Sequence, residues 1–106
     1  MAKYLLKVSY TADGAKGLLK DGGSKRRTAA EQALKSAGAR LEQLYFAFGG
    51  TDAYVILDAP DHATVAAASL AISASGALTA ETVVLLSPEE IDAAAKKSVA
   101  YTAPGH

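Results

Sequence analysis

The sequence contains no cysteine, which excludes disulfides, thiolate metal sites and cysteine nucleophiles. It has only two histidines, too few to favour a histidine metal site or a Ser-His-Asp triad. No run of about 18 apolar residues is present to span a bilayer. The 11 basic and 11 acidic residues balance, so there is no electrostatic footprint for nucleic acid or anionic lipid. We therefore expect no metal, no cofactor, no nucleic-acid partner and no membrane partner.

What the chain does have is alanine: 24 of its 106 residues, within a hydrophobic fraction of 50%. A chain of this length forms one domain with a thin core, and alanine-rich helices must lie close to whatever they cover. The opening segment MAKYLLKVSY is interrupted by Lys7 and lacks a clean cleavage site, so it predicts a strand of a cytoplasmic protein rather than a signal peptide. We predict a single domain over residues 1–98 and a tail over 99–106.

Periodicity and turn residues predict a βαββαβ order followed by a C-terminal helix. The predicted strands cover 3–10, 40–48, 53–58 and 79–86. The predicted helices cover 14–20, 25–37, 62–75 and 88–97, with Thr11, Ser24, Asp61 and Ser87 as N-caps. This is the α+β, ferredoxin-like arrangement, and right-handed crossovers then give a four-stranded antiparallel sheet in the order 4-1-3-2.

The strands alternate poorly between apolar and polar residues, which indicates that both faces of the sheet are apolar. Alternation along strand two places Leu44, Phe46 and Phe48 on one face, and Leu41, Tyr45 and Ala47 on the other. The two main helices can cover only one face, so we expect a second copy of the chain to cover the other, giving a homodimer or higher homo-oligomer. The alternative is a monomer whose C-terminal helix folds over that face.

Three segments carry a resemblance to a known family: MAKYLLKVSYTADGAKGLL, YFAFGGTDAYVILDAP and AISASGALTAETVVLLSPEEID. Together they resemble the GYD domain family over nearly the whole chain. Its Gly-x-Tyr-Asp signature corresponds to residues 49–52, where Gly49 and Asp52 match and Thr51 replaces the tyrosine. The resemblance implies a bacterial protein with the fold of a dimeric α+β barrel. The family's biochemical role is largely undefined, so the resemblance implies little about activity.

Four residues are candidates for ligand binding: Tyr10, Tyr45, Asp52 and Tyr54. Asp52 follows two glycines, and its carboxylate either accepts backbone N–H groups or acts as an acid, a base or a ligand anchor at a strand end. The tyrosines either pack in the small core, with the hydroxyl at its edge, or orient a ligand in a pocket between sheet and helices.

Other polar residues have simpler interpretations. Lys7 either reaches solvent or, on a dimer face, needs a partner such as Glu42. The cluster Lys25-Arg26-Arg27 opens a helix and could capture a phosphate, but a solvated helix face is the more common reason for such a cluster. His62 follows an N-capping aspartate and is expected to be exposed.

Composition favours a small-molecule-binding or regulatory homo-oligomer. A cofactor-free enzyme of the isomerase or oxygenase type, using Asp52 and tyrosines, is one alternative. A purely structural or accessory oligomer is another. An enzyme needs several convergent titratable groups, and the sequence offers few of them, so whether the protein is an enzyme stays open.

Overall fold

A computed structural model of the chain describes all 106 residues and confirms the predicted α+β fold. The strands are β1 (Ala2–Tyr10), β2 (Arg40–Phe46), β3 (Ala53–Ala59) and β4 (Leu78–Leu85). The helices are α1 (Ala12–Asp21), α2 (Gly23–Ala37), α3 (His62–Ala74) and α4 (Pro88–Ala95). All strand pairs are antiparallel in the order β2-β3-β1-β4, which is the predicted order read from the other edge.

The core lies between one face of the sheet and the helices α2 and α3. Alternate residues of the two central strands form it, and the helices add Leu34, Val65 and Ala68. The central strands contribute Tyr4, Leu6, Val8, Ala53, Val55, Leu57 and Ala59. Because the pleat turns successive side chains to opposite faces, the intervening residues of these strands point away from the helices.

A β-bulge in β2 corrects the predicted alternation of that strand. Leu41 pairs with Leu57 and Gln43 pairs with Ile56, so Glu42 is an extra residue in the ladder. The extra residue returns Leu41 to the core side, where it packs against the core, as Leu44 does. The prediction that Leu41 shares the opposite face with Tyr45 was wrong, because strict alternation fails across a bulge.

Three of the four predicted caps are confirmed. The side chains of Thr11, Asp61 and Ser87 accept hydrogen bonds from the first-turn N–H groups of α1, α3 and α4, and Ser87 forms a complete capping box with Glu90. Ser24 is not a cap, because α2 begins at Gly23, two residues before the predicted start at 25, and Ser24 lies within its first turn. Gly22, at φ +80°, ends α1 and starts α2 directly, leaving α2 without a side-chain cap.

Gly14 allows α1 to approach the loop between α3 and β4. A Cβ at Gly14 would lie 1.8 Å from the carbonyl oxygen of Ala77 and 2.9 Å from the ring of Tyr10. Thr11 fixes the same approach, since its N–H donates to the Ala77 carbonyl at 3.0 Å. The glycine that weakens α1 as a helix is therefore required by its packing.

The C-terminal segment, residues 88–106, projects from the body of the protein. Every residue in it is exposed, and α4 buries none of its side chains. The radius of gyration is 16.8 Å, compared with about 13 Å for a compact chain of this length. The single chain therefore does not use α4 to cover the sheet face that points away from α2 and α3, contrary to the monomeric alternative. No helix is both long enough and apolar enough to cross a membrane.

Candidate ligand cavity and the open sheet face

A cavity of about 100 Å³ lies between the sheet and α2. It exists because α2 presents Ala29, Ala30 and Ala33 to the sheet at helical spacing, and methyl groups are too short to fill the gap. Leu6, Val8 and Val55 line it from the central strands. Of the fourteen lining residues thirteen are hydrophobic, so the cavity is suited to an apolar molecule.

Phe46 and Arg26 lie at the open side of the cavity. The Phe46 side chain is partly exposed, and its ring is so close to the start of α2 that a Cβ on Gly23 would come within 3.2 Å of it. Arg26 is half-buried and is the one charged residue that lines the cavity.

Arg26 is distinguished from its neighbours by its lack of an ionic partner. Lys25 pairs with Asp21 at 3.6 Å and Arg27 pairs with Glu31 at 3.3 Å, whereas Arg26 forms no ion pair. The sequence prediction treated Lys25, Arg26 and Arg27 as one basic cluster and did not separate Arg26 from its neighbours. The signal was present in the sequence, because Arg26 lies four and seven residues before Ala30 and Ala33, on the apolar face of α2.

The four predicted ligand residues do not meet at one site. Tyr10 lines the cavity and Asp52 does not, but the two residues line a second depression together, near the end of β1 and beside the exposed Phe48. The Asp52 carboxylate accepts the Tyr10 N–H at 2.8 Å, and the Asp52 N–H donates to the Val8 carbonyl at 2.8 Å. The side chain therefore adds a hydrogen bond beyond Val8 and Ala53, where the pairing of β1 with β3 ends.

Tyr45 and Tyr54 are cross-strand partners on the opposite face of the sheet, away from the cavity. Their exposed fractions are 63% and 38%. We call this face, which no helix covers, the open face. It carries these tyrosines together with four half-buried apolar residues, Leu5, Ile56, Val83 and Leu85.

An ion cluster that was not predicted lies on the open face, centred on Asp58. The buried Asp58 carboxylate accepts hydrogen bonds from Arg40 at 2.7 Å and from Lys3 at 3.1 Å, and Lys3 also pairs with Glu42. The Arg40 guanidinium, and then the Lys3 ammonium, hold the pKa of Asp58 below its usual range. Strand register brings the cluster together, since Asp58 is the cross-strand partner of both Lys3 and Arg40.

Lys7 and His62 have different surroundings from those expected. The expected partner of Lys7, Glu42, instead binds Lys3, and Lys7 lies opposite Glu81 in the pairing of β1 with β4. His62 is exposed as predicted, yet its Nδ1 is 2.7 Å from the hydroxyl of the buried Tyr4. This contact gives a buried phenol the hydrogen-bond partner that it requires.

Of three comparisons with known proteins, one found a match. No curated protein and no solved structure matches the chain significantly. The family model described as GYD domain matches residues 4–95, from the buried Tyr4 to the last residue of α4. The match includes all of the sheet except Ala2 and Lys3, together with the cavity and the Gly49–Asp52 segment, and the chain belongs to the GYD domain family.

Proposed function

We propose that the protein binds a small molecule in the cavity between the sheet and α2, and does so as a homodimer. The observation that carries the proposal is the cavity itself, an apolar space that an alanine-rich helix leaves open beside the core. Well-packed cores rarely keep such a space, and an apolar space with a polar group at its opening is the usual form of a ligand site.

The open face supports the homodimer. Half-buried Leu5, Ile56 and Val83 lie there without cover from any helix. Lys7 and Glu81 lie opposite each other on the same face, so it carries both signs of charge. A second copy related by a two-fold axis can bury the apolar residues and match the opposite charges.

An acid–base enzyme receives less support from the geometry. General acid–base catalysis needs groups that meet around one reacting atom. Here Tyr10 and Asp52 are neighbours, but Tyr45 and Tyr54 lie on the opposite face of the sheet, and the Asp52 carboxylate already accepts the Tyr10 N–H.

Native mass spectrometry of the full chain, purified without added ligand, tests the proposal. We expect a dimer with an additional mass that is released on denaturation. The matched control is Ala30→Leu, whose longer side chain fills the cavity and should abolish the additional mass while keeping the dimer. A dimer without bound mass, which also fails to take up added apolar compounds, would instead support the structural or accessory role.

A further inference from the structure

Arg26 has an unusual position for an arginine on a solvated helix. Arg26 is half-buried as a residue and lines an apolar cavity, while the cations on either side of it pair with acidic residues four positions away. A partly desolvated cation without a partner is costly, and a hydrogen-bonded anion offsets that cost.

No carboxylate of the protein forms an ion pair with Arg26. Asp13 and Asp21 line a neighbouring depression together with Arg26, but neither forms an ion pair with it. Asp21 pairs with Lys25. Within the cavity every other lining residue is hydrophobic, and none carries a negative charge.

We propose that the ligand is a small monocarboxylate, with its apolar body in the cavity and its carboxylate held by Arg26. This inference rests on the proposed function, because it names the class of molecule that the cavity binds. A planar guanidinium can hold a carboxylate through two parallel hydrogen bonds, which selects an acid over its neutral amide.

The cavity limits the size of the apolar body. A dry cavity of about 150 Å³ accommodates the six carbon atoms of benzene, so a space of about 100 Å³ suits a body of about four carbon atoms, and a six-carbon ring would extend towards the open side. The rings of Phe46 and Tyr10 line the same space and can contact a branched or aromatic body. Isovalerate and benzoate are therefore suitable probes, with isovaleramide and benzamide as neutral counterparts of nearly the same shape.

The test is an NMR titration of the full ¹⁵N-labelled chain with each acid and its amide, following the backbone amides of Ala30 and Ala33. We expect isovalerate and benzoate to shift these backbone signals at lower concentration than isovaleramide and benzamide do. Arg26→Met should weaken acid binding about tenfold or more and leave amide binding unchanged. Lys25→Met, which removes an adjacent cation outside the cavity, should change neither. Arg26→Lys keeps the charge and should retain part of the preference for acids.

The possible results separate this inference from the function on which it rests. If each acid and its amide bind the wild-type cavity equally, or if Arg26→Met keeps the preference for acids, the assignment of a carboxylate fails while the ligand cavity stands. If no probe shifts the amides of Ala30 and Ala33, the inference fails. The ligand cavity fails as well if the native spectra also show no bound mass. Melting curves confirm that each variant is folded before it is titrated.

Discussion

Asp52 shows how a candidate catalytic residue can instead be a structural one. Its carboxylate accepts the Tyr10 N–H at 2.8 Å, and its main chain bonds to β1 and to Ala47. We expect Asp52→Asn to cost about 1 kcal/mol in the free energy of unfolding, because the amide oxygen still accepts the N–H bond but without the charge. Ligand uptake should be unchanged, since Asp52 does not line the cavity.

Chemical denaturation and ligand titration of Asp52→Asn measure the two effects, and Asp52→Ala, which removes the acceptor altogether, should cost more. An Asp52→Asn variant with wild-type stability and no ligand uptake would contradict the structural role and return Asp52 to the binding site.

The buried carboxylate of Asp58 makes the stability of the fold depend on pH in the acid range. The pKa of Asp58 is lower in the folded chain than in the unfolded one, because of Arg40 and Lys3. The unfolded chain therefore takes up this proton more readily, so stability falls as the pH drops below about 4 and through the folded pKa. Near pH 7, Asp58→Asn should cost on the order of 2 kcal/mol, and the difference from wild type should shrink at pH 3.

Urea denaturation at the two pH values measures this change. Asp92→Asn is the matched control, because Asp92 is exposed on α4 and forms no ion pair, and it should leave stability unchanged at both values. A difference between Asp58→Asn and wild type that is as large at pH 3 as at pH 7 would mean that the ion cluster does not stabilise the fold.

At the level of the elements, α4 is held by its own local interactions rather than by packing. The Ser87–Glu90 capping box and Pro88 start the helix, and none of its side chains is buried in the single chain. Ser87→Ala should lower the stability of this helix by about 1 kcal/mol, yet leave the melting temperature of the body unchanged.

Hydrogen exchange over residues 88–95, set beside thermal unfolding of the whole chain, separates these two effects. Thr11→Ala offers a comparison, because that cap belongs to a helix packed on the body and its loss should lower the melting temperature. If Ser87→Ala also lowers the melting temperature of the body, α4 is packed in solution. Since α4 buries no side chain in the single chain, the packing would then be against a second copy.

The sequence was sufficient to predict the order of the elements. It was not sufficient to predict that Leu41 faces the core or that Asp58 meets Lys3 and Arg40. Capping residues and breaks at Gly22 and Pro60 are local signals, and they located the elements to within a few residues. The bulge at Glu42 depends on pairing with β3, which alternation within β2 cannot reveal. Arg26 was predictable from helical spacing, whereas Asp58 required the strand register that brings it to Lys3 and Arg40.

At the scale of the whole molecule, the proposed homodimer depends on the open face. Tyr45 points to this face and Phe46 to the cavity. We expect Tyr45→Glu to convert the dimer to a monomer, because the new charge would be buried against the partner copy. Phe46→Glu would instead damage the cavity, and so it does not test the interface.

Light scattering during size-exclusion chromatography measures the change: the wild type should have twice the single-chain mass of 10.8 kDa, and Tyr45→Glu the single mass. Leu19→Glu is the matched control, since Leu19 is exposed on α1, away from the sheet, and should leave the dimer intact. A wild-type mass near 10.8 kDa at micromolar concentration would contradict the homodimer.

The bulge in β2 also determines where the chain tolerates a change in length. Deleting Glu42 would leave Leu41, Gln43 and Leu44 in strict alternation, still facing Leu57, Ile56 and Val55, at the cost of one exposed ion pair. Deleting Tyr45, three residues later, would turn Phe46 from the inside of the protein to the outside. We expect the first deletion to fold and the second to aggregate, as soluble yield and circular dichroism would show. An edge strand therefore contains one position at which a codon can be lost without exchanging the two sides of the sheet.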